Sequence, residues 1–126
     1  IKLQDHLLNT VSTAKLIDQP TVFYFWSQTQ MSHYRNTVIK ARALEKLFPK
    51  YQFKGVCIQP FNEIVFEVHR MMSIDPETQL AFTNFDKDSK KWVLSLLNRA
   101  IVVEANGEIK EGFGNFSAPD FVDLLQ

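Results

Sequence analysis

The chain is expected to fold as an α/β domain: a central mixed β-sheet flanked by helices on both faces. Three observations predict this. Val22, Phe23, Tyr24, Phe25 and Trp26 form an unbroken apolar run rich in β-formers. Such a run without alternation suits a central strand covered on both sides. In the next stretch, 31–48, Tyr34, Val38, Ala41, Leu44 and Phe48 recur at spacings of three and four. That spacing makes one buried stripe of an amphipathic helix. Beyond it, segments alternate as strand, helix, strand, helix, short strand, helix, hairpin, helix, which is an α/β layout.

Length and composition bound the answer further. At 126 residues the chain is read as one domain, 1–126, large enough to bury a core. Lys+Arg and Asp+Glu both number 14, so the basic excess of a general nucleic-acid binder is missing. No apolar run approaches the roughly 20 residues of a membrane helix. The chain begins at Ile1 rather than Met, which leaves room for a leader, an anchor or a further domain upstream. Its one cysteine, Cys57, can form no intrachain disulfide.

Taken in order, the first 19 residues are the least readable. Thr10, Val11 and Ser12 suggest a short strand, and 14–17 a turn of helix. Pro20 fits a strand entrance, where a missing N–H is tolerated. The helix expected over 31–48 carries Arg35, Lys40, Arg42 and Lys46 on its solvated side and stops at Pro49. Residues 52–58 read as a second strand. Asn62 is a natural N-cap for a helix reaching about Met72. There Ile64, Val65, Val68, Met71 and Met72 are expected to share the buried face, with Phe66 nearly opposite. Asp75, Pro76, Glu77 and Thr78 make a turn, and 79–83 a short extra strand. A helix is expected over 87–97, with Trp92, Leu96 and Leu97 as core candidates. Residues 100–104 and 108–112 form a hairpin about Asn106-Gly107. Ser117, Ala118, Pro119 and Asp120 suggest a capping box opening a last helix, with Phe121, Leu124 and Leu125 as its apolar face.

The strand ending Phe25-Trp26-Ser27, the helix that follows and the hairpin of 99–109 resemble the thioredoxin superfamily. The nearest type is the exported, TlpA/ResA-like thiol–disulfide oxidoreductase. The resemblance implies an N-terminal extension over 1–19 and an insertion over 62–97. It also implies two cysteines at the start of the long helix and a cis-proline before the penultimate strand. Gln30 and His33 stand at the two cysteine positions, and Arg99, preceded by Asn98, at the proline. Family chemistry needs a thiolate activated at the helix N-terminus and a second thiol to resolve the mixed disulfide. Gln30 and His33 supply neither thiol. Without proline, a cis bond would cost ~2.5–4 kcal/mol, so the Asn98–Arg99 peptide is expected to be trans.

Several residues admit two readings. His33 fits a general base, a metal ligand or a pH-sensitive group, but also a solvent-facing first-turn residue. Met31, His33, His69, Met71 and Met72 are a soft-ligand set that would suit copper, but also ordinary core filling. Cys57 is a thiol that a core strand would make inert. Trp26 could pack in the core or, with Met31, Asn98 and Arg99, line a groove beside Gln30. The leading expectation is a thioredoxin-like domain without thiol–disulfide chemistry: a protein- or peptide-binding or structural module of a larger exported protein. No catalytic residue, metal or other cofactor is assigned to it. Nucleic acid is not expected as a partner, and an upstream anchor is compatible with the chain. The resemblance places it in the bacterial periplasm, or on a membrane facing it. The alternative is a divergent oxidoreductase-family enzyme that uses metal or other non-cysteine chemistry at His33.

Overall fold

The structure, a computed structural model, describes residues 2–83 and 97–126. Seven strands form one mixed sheet in the order β2-β1-β5-β4-β3-β6-β7. They are β1 (Lys2–Gln4), β2 (Thr10–Ser12), β3 (Thr21–Trp26), β4 (Gln52–Cys57), β5 (Gln79–Ala81), β6 (Arg99–Val103) and β7 (Ile109–Asn115). β3 pairs parallel with β4 and antiparallel with β6, and β4 pairs parallel with β5. The N-terminal hairpin β1–β2 joins β5 through the antiparallel pair Gln4↔Ala81. β3 is central and buried along its whole length, as the apolar run predicts.

Alternation along the strands sorts side chains into two cores. Val22, Tyr24, Trp26, Phe53, Cys57, Ala100 and Val102 face one side. There they meet α2 (Met31–Leu47), α3 (Glu63–Met71) and a C-terminal 3-10 helix (Pro119–Leu125). Phe23, Phe25, Val56 and Val103 face the other, with Leu3, Leu80 and the flank of α1 (Thr13–Leu16), including Leu16 and Ile17. α2 buries the expected stripe of Tyr34, Val38, Ala41 and Leu44, joined by Thr37. Each large apolar side chain so buried contributes about 1.5–3 kcal/mol. Phe48 caps the helix and is half-buried against the same core.

α3 begins at Asn62, whose side chain accepts the Val65 N–H at 2.9 Å. Its buried face differs from the expected one. Val65 and His69 are buried, Phe66, Val68 and Met72 are half-buried, and Ile64 and Met71 are 74% and 77% exposed. The helix is turned because His69 has a partner inside, the Tyr34 hydroxyl at 2.9 Å. Phe66 packs on Phe61, ring centroids 5.5 Å apart. The helix ends in a Schellman motif: Ile74 N–H donates to His69 O at 2.8 Å and Ser73 N–H to Arg70 O at 3.2 Å. Ser73 takes the left-handed position at φ 53°.

Two further differences concern β1 and the last helix. β1 was not apparent in the sequence. The last helix is 3-10 and is capped by Ala118 without a side-chain bond. Ser117 is diverted to Asn98, so no capping box forms. The helix expected over 87–97 lies outside the described residues, apart from Leu97, which is buried.

Candidate functional site

The site lies where β3 hands over to α2. Gln30 is the N-cap residue of α2, exposed and without a side-chain cap bond. The loop before it is fastened by uncharged groups. Ser27 Oγ accepts from Gln59 Nε2 at 2.9 Å and from the Thr29 N–H at 3.2 Å. Its own hydrogen is therefore free for Thr29 Oγ1 at 2.8 Å. Gln59 Oε1 accepts the Gln28 N–H at 2.9 Å, and Gln28 Nε2 donates to Pro60 O at 2.9 Å. Asn62 Nδ2 donates to Gln28 Oε1 at 2.9 Å. The β3–α2 loop is thus latched to the β4–α3 loop through amides and hydroxyls that do not titrate.

Cys57 sits behind this latch, fully buried at the end of β4. Its thiol lies 3.5 Å from Gln59 Oε1, and Gln28 Nε2 is 3.7 Å from Sγ. Burial pushes the thiol pKa up to about 11, against smaller opposing effects of hydrogen bonds from Gln59 and Gln28. At pH 7 only about one molecule in ten thousand would then carry the thiolate.

On the other side of the helix start, His33 meets the loop before β6. His33 Nε2 and Asn98 Oδ1 are 3.1 Å apart, and Ser117 Oγ donates to the same oxygen at 2.8 Å. A carbonyl oxygen only accepts, so His33 carries its proton on Nε2. Its Nδ1 is buried without a hydrogen-bond partner among the described residues. The His33 carbonyl accepts Thr37 Oγ1 at 2.7 Å. The Asn98–Arg99 peptide is trans, and no cis bond occurs among the described residues.

The structure therefore brings His33 and Asn98 into contact. Arg99 opens β6 half-buried, opposite Asn115, and Met31 is half-buried against the core. Trp26 does not line a groove: it is fully buried and stacks on Tyr34, centroids 3.6 Å apart and planes 12° from parallel. The proposed copper set is also dispersed in character, with Met71 exposed and His69 buried. Among the described residues no three His, Cys, Asp or Glu side chains are grouped to hold a metal.

Beneath the first turn of α2 lies a polar network that has no counterpart in the sequence reading. Tyr34 donates to Gln79 Oε1 at 3.0 Å, and Trp26 Nε1 donates to the same oxygen at 3.2 Å. Tyr34 has one hydrogen, so His69 must donate from Nε2 to the Tyr34 oxygen, leaving His69 Nδ1 bare and without a partner among the described residues. Burial lowers the His69 pKa from 6.5 to about 4 and raises that of Tyr34 strongly. Gln79 Nε2 donates onward to Tyr24 OH at 3.1 Å. Gly55 makes room for this: a Cβ there would lie 2.4 Å from Gln79 Oε1 and 2.8 Å from the Tyr24 ring. A buried Gln opening an apolar strand is the one sequence signal that could have pointed to it.

No protein-family model matches the chain, and no curated protein does. Solved structures do. The thioredoxin domain of a thiol-disulfide oxidoreductase from Bacteroides vulgatus is 20% identical, with TM-score 0.61, covering 86% of this chain and 79% of that one. A domain described as a possible thiol-disulfide isomerase from Cytophaga hutchinsonii is 14% identical, with TM-score 0.72 and coverages of 99% and 85%. An SCO1/SenC family lipoprotein from Bacillus anthracis is 13% identical, with TM-score 0.64 and coverages of 99% and 88%. The shared feature is the fold, which is thioredoxin-like.

Proposed function

We propose that this thioredoxin-like domain is non-catalytic and acts as a protein- or peptide-binding or structural module of a larger exported protein. The observation that carries the reading is the state of its sulfur. The chain has one cysteine, and it is buried behind an amide latch with its thiol held protonated. Disulfide exchange needs an accessible thiolate and, for a closed cycle, a second thiol. The contact surface would be the exposed rim of Gln30 and Asn98, with Met31 and Arg99 beside it. Export is proposed on the fold's likeness to domains that include a lipoprotein. No helix among the described residues is long and apolar enough to cross a membrane.

A second reading, a divergent enzyme acting through His33, draws on its bare Nδ1. In that case the ring would have to turn from Asn98 to offer its bare nitrogen to a substrate. The test is reduction of insulin by wild type beside Cys57→Ser and His33→Gln. No turnover, together with copurification of a defined partner that is lost when Gln30 and Asn98 are changed, is the expected result. Turnover abolished by Cys57→Ser or by His33→Gln would overturn the non-catalytic reading. Fractionation of cells carrying the full-length product tests export, and recovery in the cytoplasm would refute it.

A further inference from the structure

A second candidate site lies away from the helix start. A cleft of about 290 Å³ opens between the middle of α2, the turn after α3 and the start of β5. Its floor is built from two buried polar side chains, Tyr24 and Gln79, 2% and 1% exposed. Gln79 Nε2 donates to the Tyr24 oxygen, which leaves the hydroxyl hydrogen of Tyr24 without an acceptor among the described residues. Burial pushes the Tyr24 pKa up to about 12, so that hydrogen stays in place.

The rim carries both signs of charge. Arg42 donates from one terminal nitrogen to Ser73 O at 2.6 Å, with Met72 O at 3.4 Å, and this holds it at the end of α3. Its other nitrogens have no described partner. Among the described residues Glu45, one turn along α2, is in no ion pair, and the Asp75 carboxylate commits only Oδ1, to the Glu77 N–H at 3.0 Å. Arg42 and Glu45 both line the cleft. Val38, Phe53 and Ile74 supply apolar wall.

We propose that this cleft binds a small apolar α-amino acid. Its carboxylate would accept from Tyr24 and Arg42, its ammonium would face Glu45 and Asp75, and its side chain would rest on the apolar wall. The volume sits at the lower end of ligand pockets, which run from about 300 Å³ upward, and suits a single amino acid rather than a peptide or nucleotide. Neither Gln30, His33 nor Asn98 lines the cleft, so the proposal stands apart from the function argued above.

The test is an NMR titration of the ¹⁵N-labelled chain with L-alanine, with propionate and ethylammonium as probes that each lack one charge. Saturable shifts at the amides of Ile74, Asp75 and Gln79 are expected with alanine. Binding should be about tenfold weaker with either half-probe, and about tenfold weaker in Tyr24→Phe and in Glu45→Gln. Glu45 is exposed, so its variant retains the fold. No saturable shift with alanine would overturn the proposal. So would propionate binding as tightly as alanine, or a Glu45→Gln variant that binds alanine unchanged.

Discussion

Acid should weaken this fold through His69 in a window that the structure defines. The imidazole is buried against Trp26, Phe61 and Tyr34, and its Nδ1 has no partner among the described residues. Protonation would place a second N–H, and a charge, where nothing accepts them. The folded pKa of about 4 lies below the ordinary 6.5, so the unfolded chain takes the proton first. Between those values the unfolded state binds more protons, and stability falls as pH falls. The full contribution is present above pH 6.5. By pH 4 the loss from this group reaches about 3 kcal/mol, at roughly 1.4 kcal/mol per pKa unit. That is a large share of the 5–15 kcal/mol typical of a domain. In urea it corresponds to a midpoint about 2 M lower. The assay compares urea midpoints at pH 7 and pH 4 for wild type and His69→Gln. The glutamine keeps a donor for Tyr34 and removes the titration. Carboxylates act on both proteins alike, so the difference between them isolates His69. Equal losses in the two proteins would refute the reasoning.

Gly55→Ala should destabilise by about 2–3 kcal/mol, because the new methyl displaces Gln79 and the Tyr24 ring from the network. An unchanged melting temperature would contradict that packing. Ser73→Gly should stabilise by about 0.5–1 kcal/mol, since glycine takes the left-handed C′ position without a Cβ penalty; a loss of stability would show that the Ser73 side chain has a role of its own. Cys57 should react with a thiol reagent only through opening of the fold. Its labelling rate in native buffer should be at least about a hundredfold below that in denaturant, and comparable rates would place it at the surface.

The parts of this fold legible in the sequence are those whose burial is written in apolar spacing. β3 needs both cores and shows five apolar residues in a row; α2 needs one and shows a single stripe. α3 was read with its inward face displaced toward Ile64 and Met71, because its deepest position holds a histidine. Apolar counting places Met71 inside, whereas the hydrogen bond to Tyr34 puts His69 there. β1 offers one buried apolar side chain, Leu3, and its place depends on pairing with β5 far along the chain. At the candidate site, the resemblance put the Asn98 loop in a groove beside Gln30, but it did not foresee the contact of Asn98 with His33. Nor did it foresee the amide latch: Gln28, Gln59 and Asn62 join two loops about thirty residues apart, and no spacing rule marks such contacts.

The strand order carries a consequence for how the chain acquires its shape. β1 and β2 precede the rest of the sheet in sequence, and Gln4 finds its partner only at Ala81. As the polypeptide emerges, this hairpin can close on itself across its short turn, but the sheet edge it covers does not yet exist. That edge is made by β5, which must first pair with β4, itself dependent on β3. The central strands must also wait for β6 before β3 is enclosed on both sides. Contacts so distant in sequence make for slow assembly, with the closure entropy of long loops paid before the reward. Until β5 arrives, Leu3 and Val11 have no second core to enter. The β1–β2 hairpin is therefore made before the strand it pairs with and is seated only after it, and the edge it shields stays open for pairing with other chains in the meantime.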